Sequence, residues 1–141
     1  MVREAPAARA RVWNSAAVAA FVRPLIPDDA REHFGVLLLD SRNGLVGWHE
    51  VSTGTLSSSL VHPRDVFGPA LRVMGVAALV LVHNHPSGDP TPSLQDLRLT
   101  RQLVKIARLL DVPVHDHVIL GDGTGEHASL TNQGEMSRGR A

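Results

Sequence analysis

Cysteine is absent from the 141 residues. That excludes disulfides and thiolate metal sites, so any metal must be held by histidine and carboxylate. Net charge is missing too: 14 Lys and Arg balance 14 Asp and Glu, and the molecule as a whole has no field to draw it to nucleic acid or membrane. No long apolar run exists. The longest, Val76 to Val82, is far too short to cross a bilayer. The apolar patch Ala16 to Val22 is broken by Arg23 and Pro24 with no clear cleavage pattern after it, so the expected location is cytoplasmic. The hydrophobic share of 43% and charged share of 20% are those of an ordinary globular chain, and the length suits one domain with a core of its own.

Residues 1–14 are rich in Ala and Arg without an apolar period, and are expected to form a flexible N-terminus. Ser15 can cap a short helix carrying Val18, Phe21, Val22 and Leu25, ended by Pro24 and Pro27. HFGVLLLD (33–40) and LVGWHEVS (45–52) read as a hairpin across the Asn43-Gly44 turn, with another extended piece near 56–62. Pro63 opens a helix with Phe67, Ala70, Leu71 and Met74 on one face, and Pro69 predicts a kink or restart. Val76 to His83 reads as a central strand. Residues 94–110 form the strongest helix, with Leu99, Leu103, Ile106 and Leu110 as its apolar stripe. Strands are expected at 112–120 and 127–130, and from Thr131 the tail is expected to be disordered. Alternating helices and strands in one unit imply an α/β sandwich with a mixed sheet flanked by helices.

The stretch VHNHPSGDPTPSLQD (82–96) carries the chemistry, with the spacing His83-x-His85-x(7)-Ser93-x(2)-Asp96. On an extended strand His83 and His85 point one way and Asn84 the other. Two imidazoles and a carboxylate suit Zn²⁺, and three protein ligands leave a fourth tetrahedral position open, as in catalytic zinc sites. A zinc hydrolase also needs a general base, for which Glu50 in the second strand is the candidate; a solvent-facing hairpin residue is the alternative. Ser93-x-x-Asp96 before an apolar helix equally reads as a capping box, and the two roles can coexist.

His115 and His117 alternate on their strand; a second metal pair, a supporting contact behind the ligands, or a surface role are all open. His33, His49, His62 and His127 carry no spacing signal, and Gly88 and Asp89 are expected to shape the loop. Arg98, Arg101, Lys105 and Arg108 recur at helical spacing without an acid among them. This is a solvated face or a surface for phosphates, DNA or an acidic partner.

HPRDVFGPAL, LVHNHPSGDPTPSLQDLRLT and VHDHVIL resemble the C-terminal domain of the RadC family of JAB-domain proteins, and the ligand spacing is that of the JAMM (MPN+) motif. The similarity covers about residues 30–134 within a domain read as 15–134, leaving 135–141 as a flexible tail. It implies the cytidine-deaminase-like α/β sandwich of MPN domains, with His83, His85 and Asp96 as zinc ligands. It further implies that Glu50 is the base, that Ser93 helps stabilise the oxyanion, and that a peptide or isopeptide bond of a peptide or protein substrate is hydrolysed. Asn84 stands where peptidase members usually carry Ser or Thr, although RadC-like members commonly have Asn. Longer RadC proteins carry an N-terminal helix-hairpin-helix-like segment that these residues do not contain, so DNA repair does not follow from the resemblance. A DNA-repair or mobile-element binding module using the basic helix face and a catalytically silent MPN scaffold are the alternative readings.

Overall fold

The computed structural model describes residues 3–4, 10–12, 14–54, 61–131 and 134. Their strands are β1 (Arg3–Glu4), β2 (Glu32–Leu39), β3 (Leu45–Gly54), β4 (Ala78–His85), β5 (Val114–Gly121) and β6 (His127–Ser129). The helices are α1 (Ser15–Val22), α2 (Pro63–Arg72) and α3 (Leu94–Leu110). The strands form one mixed sheet in the order β1-β3-β2-β4-β5-β6, parallel only between β4 and β5 and antiparallel elsewhere. A parallel neighbour needs a crossover, and α3 supplies it between β4 and β5. The α/β class and the mixed sheet flanked by helices are as the sequence implies.

Alternation along the central strands builds two cores, one on each face. Phe34, Val36 and Leu38 of β2 and Leu79 and Leu81 of β4 pack with Val66, Phe67 and Ala70 of α2 and Leu99, Leu103 and Ala107 of α3. Leu37, Leu39, Val80, Val82, Val118 and Leu120 turn to the other face and meet Val18, Ala19 and Val22 of α1. Strands buried on both sides read as continuous apolar runs, which is why 33–40 and 76–83 were legible.

Several local expectations are corrected. Asn14, not Ser15, caps α1 by accepting from the Ala17 amide at 2.9 Å. Phe21 is exposed, Ala19 is buried, and Leu25 belongs to a 3₁₀ turn over Arg23–Leu25. Helix α2 runs through Pro69 without a restart and buries Val66, Phe67, Pro69 and Ala70, while Leu71 and Met74 are exposed. Residues 10–12 are ordered: Val12 is buried, Ala10 accepts from the Leu45 amide and Arg11 bridges to Gly44. Leu130 is fully buried and Thr131 bonds to Asp116 and the His115 carbonyl, so order extends past the expected start of the tail. The extended piece near 56–62 lies mostly outside the described residues, as do residues 135–141.

Candidate metal centre

The C-terminal end of β4 delivers His83 and His85 to the face covered by α3. His83 continues the parity of Leu79 and Leu81 and is fully buried; His85, two residues on, is partly buried. The loop after β4 returns the chain for a third group. Gly88 adopts φ +92, and Asp89 accepts from the Thr91 amide and hydroxyl, so both shape the loop as their residue types suggest. Gly121 is needed beneath this loop, since a Cβ there would strike the Gly88 carbonyl.

Ser93 then caps α3. Its hydroxyl accepts from the Asp96 amide at 3.0 Å, and its own amide donates to Asp96 Oδ2 at 2.8 Å. This closed capping box fixes the Asp96 carboxylate at the helix start, aimed at the strand end. Asp96 Oδ1 lies 3.2 Å from His83 Nε2 and Oδ2 lies 3.1 Å from His85 Nε2. The two Nε2 atoms are 3.0 Å apart. Among the described residues this is the one group of three such side chains whose donor atoms converge, all within 4.8 Å.

The hydrogen-bond network behind the ligands sets their tautomers. Thr100 gives its single hydroxyl proton to the Asp96 carbonyl at 2.7 Å, so it must accept from His117 Nδ1 at 2.6 Å. His117 therefore presents a bare Nε2, which accepts from His83 Nδ1 at 2.8 Å. That leaves the His83 Nε2 lone pair facing the centre. His85 reaches the same state by donating from Nδ1 to the Asp89 carbonyl at 2.8 Å. Two imidazole lone pairs and a carboxylate thus converge on one point, an arrangement that repels itself unless a cation or proton sits among them. The residues fit a divalent metal of the zinc type, nitrogen- and oxygen-ligated with further positions open.

Electrostatics agree. Without a cation, a proton at the rings takes its place: burial disfavours the Asp96 carboxylate, yet hydrogen bonds from the histidine rings in that state outweigh it and hold its pKa far below the usual range. The bond to Asp96 raises the His85 pKa against its partial burial. Burial, then the neighbouring His83, pushes His117 well below its ordinary value and keeps it neutral, as its acceptor role requires.

His117 and Thr100 are thus functional residues whose sequence signal was partial. The alternation of His115 with His117 suggested a shared face. A bulge between the pairs Leu79–Val114 and Val80–Asp116 breaks it. His117 is buried behind the ligands, whereas His115 and Asp116 line a separate cavity of about 380 Å³ beside α1. Among the described residues His115 and His117 belong to no further group of three or more converging metal-ligating side chains.

The structure does not bring Glu50 to the centre. Glu50 pairs with Gly35, which pairs with Val82 on the α1 face, whereas His83 pairs with Phe34 on the α3 face. The Glu50 carboxylate is engaged by His33 Nδ1 at 2.9 Å and the Thr53 hydroxyl at 3.1 Å, with Asp29 bonding the other His33 nitrogen at 2.8 Å. The further carboxylate on the rim of the cavity beside the centre is Glu32, the first residue of β2. It lines, with His85, Pro86, Ser87, Ser93, Gln95 and Asp96, an open cavity of about 370 Å³, and its charge helps raise the His85 pKa. Its parity matches Phe34, a signal readable only once β2 is known to neighbour β4. On α3, Arg98, Arg101, Lys105 and Arg108 are exposed, opposite the face that buries Asp96, Leu99, Thr100, Leu103 and Ala107.

The family description of the RadC-like JAB domain matches residues 12–135. A UPF0758 protein of Syntrophotalea carbinolica is 45% identical over 126 residues, 89% of this chain and 54% of that protein. Another, of Symbiobacterium thermophilum, is 44% identical over 119 residues, 84% of this chain and 50% of the relative. A third, of Syntrophomonas wolfei, is 49% identical over 92 residues, 65% of this chain and 39% of the relative. The chain spans about half or less of the length of these curated relatives. The match covers most of the chain, and the chain belongs to the family of RadC-like JAB domains.

Proposed function

We propose that this domain is a zinc-dependent hydrolase of peptide or isopeptide bonds, with His83, His85 and Asp96 as the zinc ligands. The observation that carries this reading is the convergence of two imidazole lone pairs and a carboxylate at the floor of an open cavity with a further carboxylate, Glu32, on its rim. When bound, Zn²⁺ supplies Lewis acidity and brings the pKa of water at the site towards neutrality.

The chain's own groups do the rest. Glu32 takes the proton from the attacking water and returns it to the leaving amine, which spares the reaction a free amide anion. Ser93 Oγ already accepts the Asp96 amide, so its own hydrogen is left to point at the charge developing on the substrate carbonyl oxygen. His117 and the Asp89 carbonyl hold the imidazole rings in ligating orientation. Glu50, tied to His33 and Thr53, stays outside this scheme.

Metal analysis of the purified protein tests the centre, with about one zinc per chain expected and loss of it in His83→Ala. Incubation with a proteome-derived peptide library, with products read by mass spectrometry, tests the reaction. Cleavage should vanish in Glu32→Gln with zinc retained and persist in Glu50→Gln. A zinc-loaded wild type that cleaves no peptide would remove the peptidase reading.

A further inference from the structure

The residue between the two histidines does work of its own on the opposite face of β4. Asn84 is fully buried there, and its amide makes three hydrogen bonds. Oδ1 accepts the His33 amide at 2.6 Å, while Nδ2 donates to the Arg31 carbonyl at 3.0 Å and to Asp122 Oδ2 at 2.7 Å. The two backbone groups it grips flank Glu32 on either side. The amide cannot be reversed, because the Asp122 carboxylate only accepts and so must face the NH₂.

The same residues explain why the strands part at this point. The pairing of β2 with β4 stops at Phe34–His83. Continuing its register would set His33 opposite Asn84 and Glu32 opposite His85. Instead the Asn84 side chain takes the bonds that the next rung of backbone would have made. Asp122 also donates its amide to the His85 carbonyl at 3.1 Å, so one loop residue braces both the clamp and the ligand strand. A carboxylate placed by a strand end alone would be free to swing. One whose flanking peptides are both held by a buried amide is not.

We infer that Asn84 is a positioning residue: its side chain clamps the peptides on both sides of Glu32 and so holds that carboxylate at a set distance from the metal centre. This rests on the reading of Glu32 as the base. The clamp needs the length and the donor–acceptor pair of Asn. Serine or threonine has a single donor hydrogen on a shorter side chain and cannot hold Arg31, His33 and Asp122 together.

Cobalt(II) loaded into the full chain is a probe that needs no substrate. The pH midpoint of its visible spectrum reports ionisation at the site. In Glu32→Gln the midpoint should fall by about one unit, since removing a nearby negative charge eases proton loss. Asn84→Ala should lower it in the same direction with cobalt stoichiometry unchanged, and Asn84→Ala/Glu32→Gln should match Glu32→Gln alone. Exchange of the His33 amide should quicken at least about tenfold in Asn84→Ala. Should that variant not fold, Asn84→Thr serves in its place, being suited to a strand yet unable to span the grip.

An unmoved midpoint in Glu32→Gln removes the base reading and the clamp with it. A midpoint that moves in Glu32→Gln but not in either Asn84 variant overturns the clamp and leaves the base reading standing. Additive shifts in the double variant overturn it as well, for Asn84 would then act other than through Glu32.

Discussion

At the scale of single residues the site depends on groups that never touch a substrate. His117 fixes the His83 tautomer, and Thr100 fixes that of His117 in turn. In His117→Ala the His83 ring loses its partner, and zinc affinity should fall about 10- to 100-fold in a chelator competition titration. Thr100→Val should produce a smaller loss in the same assay, because His117 keeps its place but loses its acceptor. Zinc affinity equal to wild type in both variants would show the relay to be ornamental. Sequence alone found His83, His85 and Asp96 because their spacing is self-contained. It named Glu50 as the base, whereas Glu32 is the acid that the fold brings to the cavity, because nothing local in the sequence distinguishes the two. Only the pairing of β2 with β4 tells which one shares a face with His83.

At the scale of elements, α3 is both a crossover and a ligand holder. Ser93 belongs to both roles, as an N-cap and as part of the cavity. Ser93→Ala removes one cap bond and should cost about 1 kcal/mol in denaturant unfolding. Ser93→Gly should cost only a few tenths. If catalysis falls equally in both while stability differs, the hydroxyl acts on the substrate as well as on the helix. The loop over β5 sets a second element-scale constraint. In Gly121→Ala the new methyl meets the Gly88 carbonyl, so the loop must shift and zinc affinity should drop together with the melting temperature. The expectations that failed at this scale were those of the short helices and of the last turn of α3, where Leu110 is exposed. Periodicity placed Phe21, Leu71 and Met74 inside, but the sheet offers α1 and α2 narrower contact strips than an eight- to ten-residue pattern can specify.

At the scale of the whole molecule, metal and protons compete for one cluster. The His85 pKa is raised, so without metal its bond to Asp96 adds stability that is complete below about 6.5 and is lost as pH rises through the folded value. The Asp96 pKa is lowered, so its contribution is present above about 4 and is lost only in strong acid. The lowered pKa of buried His117 weakens stability in acid alike with and without His85. Measured against His85→Gln, metal-free wild type should therefore gain most below about pH 6.5 and lose that advantage towards pH 8. Zinc needs the deprotonated nitrogen, so the rise in melting temperature on adding zinc should grow from pH 6 to 8, as calorimetry would show. A zinc increment that shrinks over that range would contradict the assigned cluster. The sequence by itself determined the class of fold and the grouping of His83, His85 and Asp96. Long apolar runs buried on both faces announce central strands, and ligands within fourteen residues are brought together by local geometry, a strand end, a tight loop and a helix cap. Only the tertiary structure decided which carboxylate shares the cavity with the triad, the relay through His117 and the grip of Asn84. Each of these joins residues 17 to 53 positions apart across strands, and which strands become neighbours is a property of the whole sheet.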